Sequence, residues 1–424
     1  MLRADMAPPS PVVMCPSAGA PVGPVSPPTL STPRARAMLV LSWLAGFNCR
    51  APLLAAGPLL PLVIRDLHLS ATAAGALTGV PLFAMAALSV PGGLLVDRAG
   101  PWRVLMAAQL AIAVGGGLRG AAGGALTLLV PAALLGAGIS LSQPALARVA
   151  QVALPGRAAV ATAVYVNGLI LGVLAGTTLS TTALLALVGP ASWRGVCALW
   201  ALPGLAAAAG WAVLRRAGSH ESPSAVAARS PAGWRVPGFA PVVVAFAAQA
   251  MIFYGAITWL PEFYVTRGWS VAAAAVPVTA VAAASVAVSV LAPVLVAASG
   301  GYRTPFVIAA ALAGAGQVGV ALAPAAGTAW GALIGAGTTL AFALGLAAAA
   351  DLVPADRVGA ATGLMLTAGH GAATAAPLLL GAARDLSGGF TAGWVLMVGA
   401  AAALAAAACR VPEGRRQPGR AGDR

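Results

Sequence analysis

Lysine is absent from this 424-residue sequence and acid is scarce, with 10 Asp and Glu against 24 basic residues, all of them arginine. Charged residues make up only 8% of the chain and hydrophobic residues 60%, whereas soluble globular domains carry about 25% charge. So little charge cannot solvate the surface of a long chain, and a water-soluble fold is excluded. The 4 cysteines, Cys15, Cys49, Cys197 and Cys409, have no metal-ligand spacing and form no disulfide framework. No phosphate-binding loop, catalytic triad or cluster of metal ligands is legible, which disfavours an ATP-driven pump and a membrane enzyme. No catalytic residue, metal or cofactor is therefore expected. A net charge of +14 raises nucleic acid as a partner, but the arginines punctuate long apolar runs instead of clustering with aromatics. That is the pattern of membrane loops, and the expected partner is the lipid bilayer.

The apolar runs organise the chain. A membrane-crossing helix needs about 20 apolar residues, and the uncharged stretches divide into twelve such spans, near 38–64, 71–96, 102–121, 125–150, 157–185, 191–214, 238–264, 270–297, 303–323, 327–350, 358–382 and 390–409. The long stretch from 304 to 350 must hold two of them, broken near Pro324–Gly327. Residues 1–36 read as a Pro-rich, disordered cytoplasmic leader, because they hold no apolar block of the length a secretory signal needs. The remainder divides into a first six-helix bundle over 37–214, a linker over 215–237, a second bundle over 238–409 and a basic tail over 410–424. With the N-terminus inside, only Arg65, Arg119, Arg194, Arg267 and Arg384 fall on the outer side and Arg50 falls within the membrane. The positive-inside rule then makes both termini cytoplasmic.

The two halves also match at a constant offset of 200 residues: Leu60-Pro61 with Leu260-Pro261, Gly100 with Gly300, Arg103 with Arg303, Arg157 with Arg357 and Thr162 with Thr362. Such matches at equivalent places in the span map indicate an internal duplication with parallel halves.

The segment after span two runs from Gly93 through Asp97, Arg98 and Gly100 to Arg103. This G-x-x-x-D-R-x-G pattern resembles the loop signature of the major facilitator superfamily; in the second half the Asp-Arg positions hold Ala297-Ala298. A narrower resemblance begins with Asn48-Cys49-Arg50-Ala51-Pro52 and Gly57-Pro58-Leu59-Leu60-Pro61. It continues through Phe253-Tyr254, Trp259-Leu260-Pro261, Arg267-Gly268, Pro377, Gly381 and Asp385. These strings are similar to the cyanate and 2-nitroimidazole porter branch of that superfamily, with Ala51 departing from the usual first proline. The resemblance covers most of 38–409. It implies an all-α membrane protein of twelve helices in two pseudo-symmetric six-helix bundles, working as a monomer in the bacterial inner membrane. It also implies a gating role for Gly93, Asp97, Arg98, Gly100 and Arg103, whose loop would latch the outward-facing state.

Arg50 is the most informative residue. It lies about twelve residues into span one, roughly 18 Å of helix rise from the cytoplasmic side, too deep to reach water by extending. A cation at a helix centre costs about 2.5–3.5 kcal/mol on insertion scales and faces a cavity or a partner. No acidic residue stands at comparable depth in any span. Two roles fit: counter-ion to a transported anion or to the negative end of a dipolar substrate, or a structural clamp on carbonyls freed by Pro52. Asn48, Tyr165, Asn167, Gln249, Tyr254 and His370 lie at similar depth on spans one, five, seven and eleven. Spans one and seven, and five and eleven, are equivalent under the repeat, so a site between the halves would collect all four. Each polar residue taken singly fits a helix-helix hydrogen bond as well as a substrate contact. Asn48, two positions from Arg50, points away from it on a regular helix.

The expected function is secondary transport of a small anion or polar nitrogen compound, cyanate-like or nitroimidazole-like, by alternating access. Moving one charge across 100 mV involves about 2.3 kcal/mol, so anion uptake needs a co-transported cation or an exchange partner, whereas export runs downhill uncoupled; His370 is the deep group able to carry a proton. The alternatives are a proton-coupled multidrug porter, which lacks its usual intramembrane carboxylate here, and a non-transporting membrane receptor.

Overall fold

A computed structural model of the chain describes residues 32–153, 158–189, 192–216, 239–299, 301–353 and 358–412. The first half holds α1 (Pro33–Leu54), α2 (Ala56–Leu67), α3 (Ala71–Ala99), α4 (Pro101–Leu118), α5 (Ala125–Ala153), α6 (Ala158–Leu179), α7 (Leu185–Val188) and α8 (Trp193–Arg216). The second half holds α9 (Ala240–Val265), α10 (Val271–Ser299), α11 (Arg303–Leu322), α12 (Gly327–Asp351), α13 (Val358–Ser387) and α14 (Thr391–Ala408). Among the described residues, 12 segments are long and apolar enough to cross a membrane. An all-helical membrane fold is the outcome, because a helix satisfies its backbone hydrogen bonds internally where no water can.

Helix boundaries follow local chemistry. Pro58 has no N–H to offer the Leu54 carbonyl, and the first span breaks at Ala55 into α1 and α2. The break expected near 324 is a short 3₁₀ turn, Pro324–Ala326. α1 starts at Pro33, with Thr32 accepting from the Ala35 N–H, so the last residues of the expected leader are already helical. Most of that leader, of the 215–237 linker and of the tail lies outside the described residues. The repeat is visible in the helix ends: α3 covers 71–99 and α10 covers 271–299, the same offset of 200 residues.

Arg119 departs from expectation. It is only 3% exposed, and its Nη2 donates to the Pro52 carbonyl at 2.6 Å while Nε donates to the Gly116 carbonyl at 3.4 Å. The clamp on the proline-disrupted helix is thus supplied by Arg119 from the end of α4, which corrects its placement in an outer loop. Burial inside protein is the reason: a guanidinium with five donors can satisfy carbonyls that lipid would leave bare.

Within the first half, α1 packs closely on α6. Gly168, Gly172 and Gly176 form the contact; a Cβ on Gly168 would overlap the Trp43 carbonyl, and one on Gly176 would stand 2.5 Å from the Ala51 carbonyl. Small residues at this seam let two backbones meet. The halves themselves meet through α3 with α13, α2 with α9, and α6 with α10. Gly168→Leu should wedge this seam open and cost about 1–3 kcal/mol, as overpacking does, read as a lower thermal midpoint of the purified protein in detergent. Gly363→Ala, where an added Cβ meets open space, should not lower it.

Candidate functional site

Arg50 lies four residues before the α1 terminus. Its Nη1 donates to the Tyr254 hydroxyl on α9 at 3.0 Å, across the boundary between the halves. Both side chains are half-buried. Tyr165 on α6 and His370 on α13 stand close enough for the Arg50 charge to act on both. The Tyr165 hydroxyl is directed to Cys49 Sγ at 3.9 Å. Four helices, two from each half, therefore converge on one cation. Among the described residues no carboxylate pairs with it: Asp66 pairs with Arg194 and Glu262 with Arg384, Asp351 accepts from Tyr302, and Asp385 holds α3.

Other expected members are placed elsewhere. Asn48 is fully buried inside the first half, where its Nδ2 donates to Gln109 Oε1 at 2.8 Å and Gln109 Nε2 donates to Ser142 Oγ at 2.9 Å. This chain ties α1, α4 and α5 together and places Asn48 inside the first half, away from Arg50. Helical geometry explains it, since two residues of helix turn the side chain through about 200°. Asn167 accepts from Trp43 Nε1 at 3.0 Å on the α1–α6 seam, turned away from its neighbour Tyr165 in the same manner. Gln249 is buried on α9, five residues and about 140° round the helix from Tyr254.

A second constellation was not legible in the sequence. Asp385, in the last turn of α13, accepts from the Ala71 N–H through Oδ1 at 2.8 Å, and from the Thr72 N–H at 2.8 Å and the Thr72 hydroxyl at 2.6 Å through Oδ2. It thereby caps the start of α3 from the other half of the molecule. The first N–H groups of a helix are unsatisfied within the helix and carry partial positive charge, which suits a carboxylate. Ser70 caps the Ala73 N–H of the same turn at 3.2 Å. Deeper in, the Thr78 and Thr258 hydroxyls bond across the halves at 3.0 Å, and Gly75 lies directly against the Pro377 carbonyl. These contacts seal the end opposite the chain termini. Sequence shows a helix start at Ser70 and a carboxylate at Asp385, but nothing in one sequence says that they meet.

The model of the Major Facilitator Superfamily matches residues 38–377. The chain belongs to the Major Facilitator Superfamily. It is 27% identical over 338 residues to the 2-nitroimidazole transporter of Escherichia coli (strain K12), covering 79% of this chain and 85% of that one. It is 27% identical over 248 residues to Cyanate transport protein CynX of the same organism, covering 54% of this chain and 59% of that one. A solved bacterial homolog of the human lysosomal transporter Spinster, inward-facing and occupied, superposes with a TM-score of 0.71 at 16% identity over 89% of this chain and 95% of that one. At that identity the likeness establishes the fold alone.

The superfamily signature is built differently from a loop. Gly93, Asp97 and Arg98 lie in the closing turns of α3, Arg103 lies in the first turn of α4, and Gly100 at φ 86° is the only residue between the helices. Glycine adopts that conformation without penalty, and Pro101 opens the next helix at once. Asp97, Arg98 and Arg103 are exposed at the end where the termini lie. Asp385→Asn should weaken the seal at the opposite end, since hydrogen bonds to a charged group are worth about 1.5–3 kcal/mol. Spin labels placed across that end should report a longer distance population, increased about tenfold relative to the parent.

Proposed function

We propose that this transporter of the Major Facilitator Superfamily carries a small anion, or a polar nitrogen compound presenting a negative or nitro end, with Arg50 as the group that receives it. The observation that carries this reading is the hydrogen bond from Arg50 to Tyr254 across the halves. A phenol is neutral: it occupies one donor of the guanidinium and leaves the charge uncompensated. An entering anion supplies the missing charge and can form the bidentate contact for which a guanidinium is shaped. Because Arg50 comes from one half and Tyr254 from the other, a substrate that engages both draws the halves together at the midplane. The names of the nitroimidazole and cyanate relatives agree with such a cargo.

Alternating access follows from the placement of the seals. Asp385, Thr78 and Thr258 close the end opposite the termini in the present arrangement. With both termini cytoplasmic, that end is external and the arrangement is inward-facing. Release of the Asp385 clasp and engagement of the Asp97, Arg98 and Arg103 end would give the opposite state. His370, half-buried on α13, is the proton carrier of this scheme: protonation with the anion bound adds a positive charge that favours the cargo. The protein works as a monomer in the bacterial inner membrane.

Proteoliposomes carrying the purified chain should take up radiolabelled cyanate or 2-nitroimidazole above protein-free vesicles, and a pH gradient should change the rate. Arg50→Ala should lower uptake at least tenfold at normal expression, while Tyr254→Phe should mainly raise the apparent KM. Full uptake with unchanged affinity in Arg50→Ala overturns the counter-ion role.

A further inference from the structure

The second half carries another basic site, remote from Arg50. A cleft of about 630 Å³ opens at the end opposite the termini, between the end of α9, the end of α11 and the start of α14. Arg267 and Arg384 stand at its mouth together with Thr391, and Ala321, Val395 and Val398 form its apolar wall. Arg384 is already paired, donating from Nη2 to Glu262 at 3.0 Å. Arg267 has no carboxylate among the described residues: its guanidinium lies 3.6 Å from the centroid of Phe263 and donates from Nη1 to the Phe263 carbonyl at 3.2 Å. That leaves one uncompensated positive charge beside the cleft.

Two independent features add donors. Trp394 lines the cleft and is 5% exposed, yet its indole N–H has no hydrogen-bond partner among the described residues. An N–H buried without a partner is costly and calls for an acceptor. The cleft also receives the start of α14, whose first turn has no side-chain cap, so its N–H groups and the positive end of its dipole favour an anion.

We propose that this cleft binds the phosphate of an anionic phospholipid headgroup, with the phosphate oxygens between Arg267, the Trp394 N–H and the α14 N-terminus. A lipid is favoured over a free ion by the walls. The cleft lies among helices of one half, away from the boundary where cargo is carried, and below the arginines it continues into aliphatic side chains, with Val395 66% exposed. That surface suits the upper part of an acyl chain, whereas a small ion would use none of it. The aromatic wall disfavours a choline: one face of Phe263 is taken by Arg267, and Arg384 lies 4.6 Å from the centroid of Phe390, so the rings that would receive a quaternary ammonium are occupied by guanidiniums. The site is independent of the transport reading.

Native mass spectrometry and thermal shift of the full chain in detergent test this with three probes: short-chain phosphatidylglycerol, short-chain phosphatidylcholine and inorganic phosphate. Phosphatidylglycerol should bind and raise the melting midpoint by several degrees, at least tenfold more tightly than phosphatidylcholine. Arg267→Ala should lose that preference at least tenfold, Arg267→Lys should recover part of it, and Trp394→Phe should weaken it severalfold. Gly363→Ala, where the new methyl meets open space, should bind the lipid as the parent does, and an unchanged lipid-free melting midpoint in Arg267→Ala and Trp394→Phe shows that their loss of binding is not misfolding. Equal binding of phosphatidylglycerol by the parent, Arg267→Ala and Trp394→Phe would overturn the proposal. Stabilisation by inorganic phosphate with none by the lipid would overturn it as well, assigning the cleft to a free ion.

Discussion

In hydrocarbon a polar group has no water to fall back on, and every charge or unpaired backbone group must find its partner in protein or in cargo. That constraint orders this molecule. The carbonyl of Pro52, at the break in the first span, is met by Arg119. The N–H groups at the start of α3 are met by Asp385. The Asn48 Nδ2 is met by Gln109, and the Gln109 Nε2 by Ser142. Arg50 meets the hydroxyl of Tyr254, which satisfies a donor without balancing its charge.

The same constraint makes the interface between the halves suited to movement. Its contacts include discrete polar bonds and backbone-to-backbone approaches at glycine, such as Gly75 against Pro377. Where backbones meet at glycine and hydroxyls pair, the halves can separate and re-form by exchanging discrete hydrogen bonds with little local repacking. Asp385 illustrates the economy: a single carboxylate in one half satisfies three donors in the other, so one residue changes the balance between closed and open ends.

Much of the fold was legible in advance. The spans expected near 270–297 and 303–323 are found at Val271–Ser299 and Arg303–Leu322, and the duplication read from Gly100 with Gly300 reappears in the matched ends of α3 and α10. Hydrophobic length and proline position are local properties, so sequence reports them directly. The site was only partly legible. Arg50 declared itself by depth, and Tyr254, Tyr165 and His370 gather near it. Asn48 and Asn167 share that depth but face other helices, because depth specifies a level in the membrane and says nothing about the direction of a side chain.

The sequence by itself determined that the chain crosses the membrane twelve times, that it is a duplicated pair of bundles, and that one arginine stands well inside an apolar span, since apolar run length, repeat offset and charge scarcity need no neighbours to be read. Only the tertiary structure decided which arginine clamps Pro52, that Tyr254 meets Arg50, that Asp385 caps a helix 313 residues earlier in the chain, and that Arg267 and Trp394 share a cleft. Those outcomes depend on how each helix is rotated and where its end lands against another, and packing of the whole bundle sets both.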